Sequence, residues 1–129
     1  MTLVLALTGC KKIIEQQKEN FVLSVMTEGQ WIVTKFVEAD DTITEQFSPY
    51  IFQFNRDYTV DAIRDNAIEN KGSWQGDPET MNIIASFPDP GETLGRINGT
   101  WHIEKNSLSY VVASQSDNGI EKTLRLDKK

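Results

Sequence analysis

From Trp31 onward apolar side chains recur at every second position, and turn residues cut the runs that carry them at short intervals. In "PYIFQFNRDYTVDAI" (49–63), Tyr50, Phe52 and Phe54 point one way and Ile51, Gln53 and Asn55 the other. A period of two puts successive side chains on opposite faces of an extended strand, so each run reads as a strand with one face buried. Asn55-Arg56-Asp57 makes a turn and Tyr58-Thr59-Val60 starts the return strand, which predicts a hairpin. Upstream, Trp31, Val33 and Phe36 open a run that continues into "TITEQF" (42–47). Downstream, strands are predicted over 68–74, 81–87, 96–104, 107–114 and 121–126. Their turns fall at Gln75-Gly76-Asp77-Pro78, Pro88-Asp89-Pro90-Gly91, Lys105-Asn106 and Asp117-Asn118-Gly119. Ile97, Trp101 and Ile103 share one face, as do Leu124 and Leu126.

About eight or nine short strands with no helix between them predict an all-β antiparallel meander. Such a sheet must protect its edges, and closure removes them, so the expected architecture is an up-and-down barrel of about eight strands. A sandwich is the alternative. "KGSWQ" (71–75) and "NGTWHI" (98–103) echo each other, each placing a glycine two residues before a tryptophan. Within a strand this permits a sharp bend or the close approach of a neighbour, with the indole covering the gap. Before the strands, Ile14, Phe21, Val22, Val25 and Met26 have the spacing of a short amphipathic helix interrupted by Lys18, and Gly29 sits where a helix C-cap glycine would.

The first residues carry a different message. Leu3-Val4-Leu5-Ala6-Leu7 is apolar, Thr8-Gly9 are small, and Cys10, the only cysteine, follows with Lys11-Lys12 behind it. This resembles the lipobox of bacterial lipoproteins. The resemblance implies cleavage before Cys10, diacylation of its sulfur and acylation of the new N-terminus, and several acyl chains anchor a protein stably where one would not. The expected organisation is a signal-peptide remnant over 1–9, an anchor, tether and helix over 10–28, and the barrel over 29–129. Met1-Thr2 lacks the usual positive charge and the apolar run is short, which points to a true start codon upstream or to a leader trimmed at its N-terminus. A buried first strand with a core cysteine is the competing reading. Lys11 and Lys12 are not the acidic residue that retains lipoproteins in the inner membrane, so the outer membrane is the expected address, with the barrel facing the periplasm or the cell surface.

The order "WIVTKF", "TEQFSPYIFQF", "DYTV", "GSW", an apolar strand and "GTWHI" resembles the lipocalin-like lipoproteins of the Bacteroidetes envelope, over residues 29 to 126. Gly29-Gln30-Trp31 matches the Gly-x-Trp that opens lipocalins. The resemblance implies a small barrel in the cell envelope and, for most members, no assigned activity.

Charge and residue inventory exclude several classes. Thirteen basic against nineteen acidic residues give a net charge of −6, and the basic ones are scattered, whereas a nucleic-acid binder needs them clustered. One cysteine allows neither an internal disulfide nor a cysteine metal cage. His102 is the only histidine and lies opposite Trp101 and Ile103, on the face expected to meet solvent. No multi-histidine zinc site or Cys-His pair can be assembled, so no enzyme, metal or cofactor is expected. Asp57, Asp61 and Asp65 share a strand parity and are expected on the wet face. Asp41-Thr42-Ile43 resembles an O-glycosylation acceptor of the Bacteroidetes, and a polar turn explains it equally well.

What remains is the aromatic interior. Trp31, Tyr50, Phe52, Phe54 and Trp101 are the candidate interior residues, and they either line an apolar cup or plug it. The first reading makes the chain an envelope module for a small apolar or amphipathic ligand. The alternative is a filled barrel that docks an envelope protein or polysaccharide. Burial of the same faces serves both.

Overall fold

The computed structural model describes residues 17–129, so the lipobox, Cys10, Lys11-Lys12 and Ile14 lie outside the described residues. Residues 17–27 form a helix (α1), followed by Gly29 in the left-handed region at φ 75°, as a C-cap glycine requires. The strands are β1 Trp31–Glu38, β2 Asp41–Thr42, β3 Tyr50–Phe54, β4 Thr59–Arg64, β5 Ala67–Asp77, β6 Asn82–Ser86, β7 Gly99–Asn106, β8 Tyr110–Asp117 and β9 Ile120–Lys128. All pairings are antiparallel: β1 pairs with both β2 and β3, each strand from β3 onward pairs with the next, and β9 returns to β1 from Trp31↔Lys128 to Glu38↔Lys122. That pairing closes a barrel of eight strands, with β2 a two-residue flap folded back on the end of β1. The sandwich alternative is thereby excluded.

Two-residue hairpin loops set two of the registers. Asn118-Gly119, at φ 50° and 81°, joins β8 to β9, and Asp65-Asn66, at 53° and 62°, joins β4 to β5. Left-handed conformation at both loop positions matches the twist of the flanking strands. The uneven spacing of Val33 and Phe36 also has a cause. A bulge between Val33 and Lys35 resets the parity of β1, so Trp31, Val33 and Phe36 all face inward.

Four local expectations are corrected. Gln75-Gly76-Asp77 is strand, and the turn begins at Pro78; Gly76 is bare because Val22 of α1 packs on it, a Cβ there meeting Val22 Cγ1 at 3.1 Å. Lys105-Asn106 is also strand, since a bulge between Ile103 and Lys105 lengthens β7, and Ser107 makes the turn by accepting from the backbone N–H of Ser109 and Tyr110. Residues 96–98 are not strand: a one-turn helix, α2 (Glu92–Gly95), interrupts the meander, and a 3₁₀ turn over Thr44–Phe47 does so again after β2. Asp61 is buried, not wet, because Lys71 and Asn55 close over it.

Candidate functional site

Alternate residues of each strand converge on one core. Trp31, Tyr50, Phe52, Phe54 and Trp101 are all buried, so the sequence-derived interior set is brought to the inner face. The set then divides. Phe52, Phe54 and Trp101, with Met26, Ile83 and Leu124, surround an internal void of about 40 Å³ whose lining side chains are all apolar. Trp31 lies at the mouth under α1, and Tyr50 sends its hydroxyl to the opposite rim, where it donates to Glu69 Oε2 at 2.5 Å. Burial and that bond raise the Tyr50 phenol above its ordinary value.

The two mouths are closed by different means. At the first, α1 lies across the opening and lowers Met26 into the core. The Trp31 indole N–H donates to the Met26 carbonyl at 2.9 Å, satisfying an acceptor that the helix end leaves free. The Trp74 indole N–H likewise donates to Asn55 O at 3.1 Å and pins the β3–β4 turn at the same end. A second void of about 40 Å³ separates α1 from the barrel and shares Met26, Ile83 and Val111 with the internal one. Open grooves of about 290 and 440 Å³ run along the two sides of α1.

At the second mouth Phe36 stacks on Phe47 at 4.7 Å and meets Trp101 edge-on at 5.9 Å. Trp101 donates its indole N–H to Ile97 O at 2.7 Å, which holds the segment after α2 over the opening. Charged side chains tie the lid together. Arg96 reaches Glu38 (3.4 Å), Gln46 (2.8 Å) and Glu92 (3.3 Å), while the inward-facing Lys122 lies 3.8 Å from the other Glu38 oxygen. Gln115, the cross-strand neighbour of Lys122, donates to the carbonyls of Asn98 and Thr100. Lys122 and Gln115 are polar residues at inward positions whose only sequence signal is parity: Lys122 shares it with Leu124 and Leu126, and Gln115 with Val111 and Ala113.

The remaining candidates stay apart. His102 is exposed, and its Nδ1 lies 3.0 Å from Asn82 Oδ1, its neighbour across the strand pair. Asp61 pairs with Lys71 at 2.8 Å and holds that ammonium's pKa above its usual value, whereas Asp57 caps its own turn through Thr59. Among the described residues, no group of three or more His, Cys, Asp and Glu is placed to hold a metal ion, and no helix is long and apolar enough to cross a membrane. The arrangement can bury apolar surface and present an outer wall.

No family model and no curated protein sequence matches this chain. Its fold is similar to that of a DUF4847 family protein from Bacteroides vulgatus, known from a crystal structure, with a TM-score of 0.62 at 13% identity over 84% of this chain and 97% of that one. At such identity the likeness is one of architecture, and it agrees with the closed antiparallel barrel described above.

Proposed function

We propose that this chain is a lipoprotein of the bacterial envelope, anchored through acyl chains on Cys10, whose filled barrel works through its outer surface as a structural or docking module. The observation that carries the reading is the size of the interior. A void of about 40 Å³ is several-fold smaller than the ~300–1,000 Å³ of small-molecule sites, and both mouths are capped. The Leu-Thr-Gly-Cys lipobox supports the anchor, and Lys11-Lys12 behind it support the outer membrane.

A carrier of a small apolar or amphipathic molecule is the second reading. Its specific support is Met26, a flexible side chain that alone with Ile83 and Val111 is shared by both voids. One experiment separates the two. The barrel purified from its host's periplasm and denatured for mass spectrometry should release no stoichiometric small molecule, and an envelope lipid extract should leave its tryptophan fluorescence unchanged. A reproducible lipid, pigment or isoprenoid would reverse the order of the readings. The anchor has its own test: labelled palmitate should enter the protein, and Cys10→Ser should release it from membranes.

A further inference from the structure

The two ends of the barrel differ in what they show to the outside. Six large apolar side chains are strongly exposed among the described residues. Phe21 (57%), Tyr58 (47%) and Leu108 (66%) all belong to the α1 end, from the helix, the β3–β4 turn and the β7–β8 turn. The other end has Ile68 and Ile120, and Ile84 lies on the wall. Both exposed aromatics are therefore at the α1 end. Tyr58 holds φ at 65°, a conformation that costs a bulky side chain, and one side of its ring leans on Trp74, with centroids 5.5 Å apart, while the rest stays exposed.

Cations stand beside these apolar tips. Each apolar residue of the α1 end has one two or three positions before it: Lys18 before Phe21, Arg56 before Tyr58, Lys105 before Leu108. Among the described residues none of these three forms an ion pair, and Arg56 has only a long contact to Ser24 Oγ at 3.5 Å; Arg125, set back on β9 near this end, is paired with Asp127, and Arg64, Arg96 and Lys122 at the other end are each paired with a carboxylate. Of the acids at the α1 end, Asp57 and Asp77 turn to backbone N–H groups of their own turns, Asp127 is paired with Arg125, and Glu19, Glu28 and Glu79 remain. A rim of exposed aromatic and aliphatic tips with uncommitted cations beside them fits the headgroup layer of a bilayer, where apolar tips bury and cations meet phosphates.

We infer that the α1 end of the barrel is a membrane-docking face, with Phe21, Tyr58 and Leu108 inserted among lipid headgroups and Lys18, Arg56 and Lys105 against their phosphates. The inference rests on the lipoprotein reading for its tether. Seven residue steps from Cys10 to residue 17 span at most about 25 Å, so an acylated Cys10 keeps the start of α1 within about that distance of the bilayer surface. The net charge of −6 supplies no long-range attraction to anionic lipid, so the tether must bring this face to the bilayer.

The test uses the acylated full chain in vesicles of phosphatidylethanolamine and phosphatidylglycerol. Bimane on Glu19→Cys or Ser109→Cys should be quenched by nitroxide lipids several-fold more than bimane on Ile68→Cys or Glu121→Cys. In the triple variant F21S/Y58S/L108S that difference should vanish, with palmitate incorporation and membrane fractionation unchanged. Equal quenching at both ends, stronger quenching at the far end, or cross-linking of the α1 end to an envelope protein in place of lipid would overturn the inference. If palmitate does not enter the wild-type chain, the lipoprotein reading falls on its own. Docking then stands if the unacylated chain still shows vesicle-dependent quenching at Glu19→Cys and Ser109→Cys, and falls if it does not.

Discussion

The barrel's two mouths solve one problem with different chemistry. The α1 end is closed by apolar burial, with indole N–H groups satisfying the carbonyls that the closure would strand. The α2 end has one indole bond of its own, from Trp101 to Ile97 O, but it is closed over an aromatic stack chiefly by charged and polar side chains drawn from four separate segments: Glu38, Gln46, Arg96 and Lys122. Apolar closure needs a continuous amphipathic element, which α1 supplies from local sequence. Closure by short irregular segments buries less and leans on polar ties, whose net worth is small when they are exposed and uncertain in sign when buried.

The largest expected effect lies at the α1 end. Trp31→Ala should destabilise the barrel by roughly 3–5 kcal/mol in chemical denaturation, removing a fully buried indole and leaving the Met26 carbonyl without its donor. A loss under about 1 kcal/mol would mean that α1 contributes little to closure. Between the mouths, Gly72→Ala should cost roughly 1–3 kcal/mol, because its Cβ would stand 2.3 Å from Ser86 O, and backbone on both strands must move. At the α2 end the costs shrink. Arg96→Met should cost about 1 kcal/mol or less, and the loss should diminish in high salt. Lys122→Met, which replaces a buried ammonium with an apolar chain of similar length, should be neutral or stabilising while Arg96 still serves Glu38. A large loss for Lys122→Met would make the charge cluster a principal support and erase the contrast.

The subtlest test is in pH. Asp127, near the α1 end, is held below the ordinary carboxylate value chiefly by the Arg125 guanidinium, with Thr34 adding a further donor. A depressed folded value means that its stabilisation is present above the unfolded value, near 4, and is lost as pH falls through the folded one. Tyr50, at the α2 end, is raised, so its stabilisation is present below about 10 and is lost as pH climbs through the folded value. Asp127→Asn should flatten the acid limb of stability against pH, and Tyr50→Phe the alkaline limb. If either variant changed the other's limb, the two ends would not be energetically separate.

Much of this was legible from residue order. Tyr50, Phe52 and Phe54 face inward as their alternation requires, and Asn118-Gly119 turns where two left-handed residues were available. The misreadings share one cause. Gly76 looks like a turn residue until α1 packs on it, and Asp61 looks solvated until Lys71, on the next strand, covers it. Lys105-Asn106 looks like a turn until a bulge lengthens its strand. Each depends on a neighbour or a register that the local pattern does not contain.

By itself, the sequence determined the strand class, the faces of the strands, a helix ahead of them and a barrel as the natural closure, because strand period and turn chemistry act within a few residues. Only the tertiary structure decided that the barrel is full and that its mouths are sealed differently. Filling is a sum of side-chain volumes contributed by every strand and by Met26 from outside them. Sealing by Arg96, Glu38, Gln46 and Lys122 needs four distant segments to meet, and packing, not periodicity, brings them together.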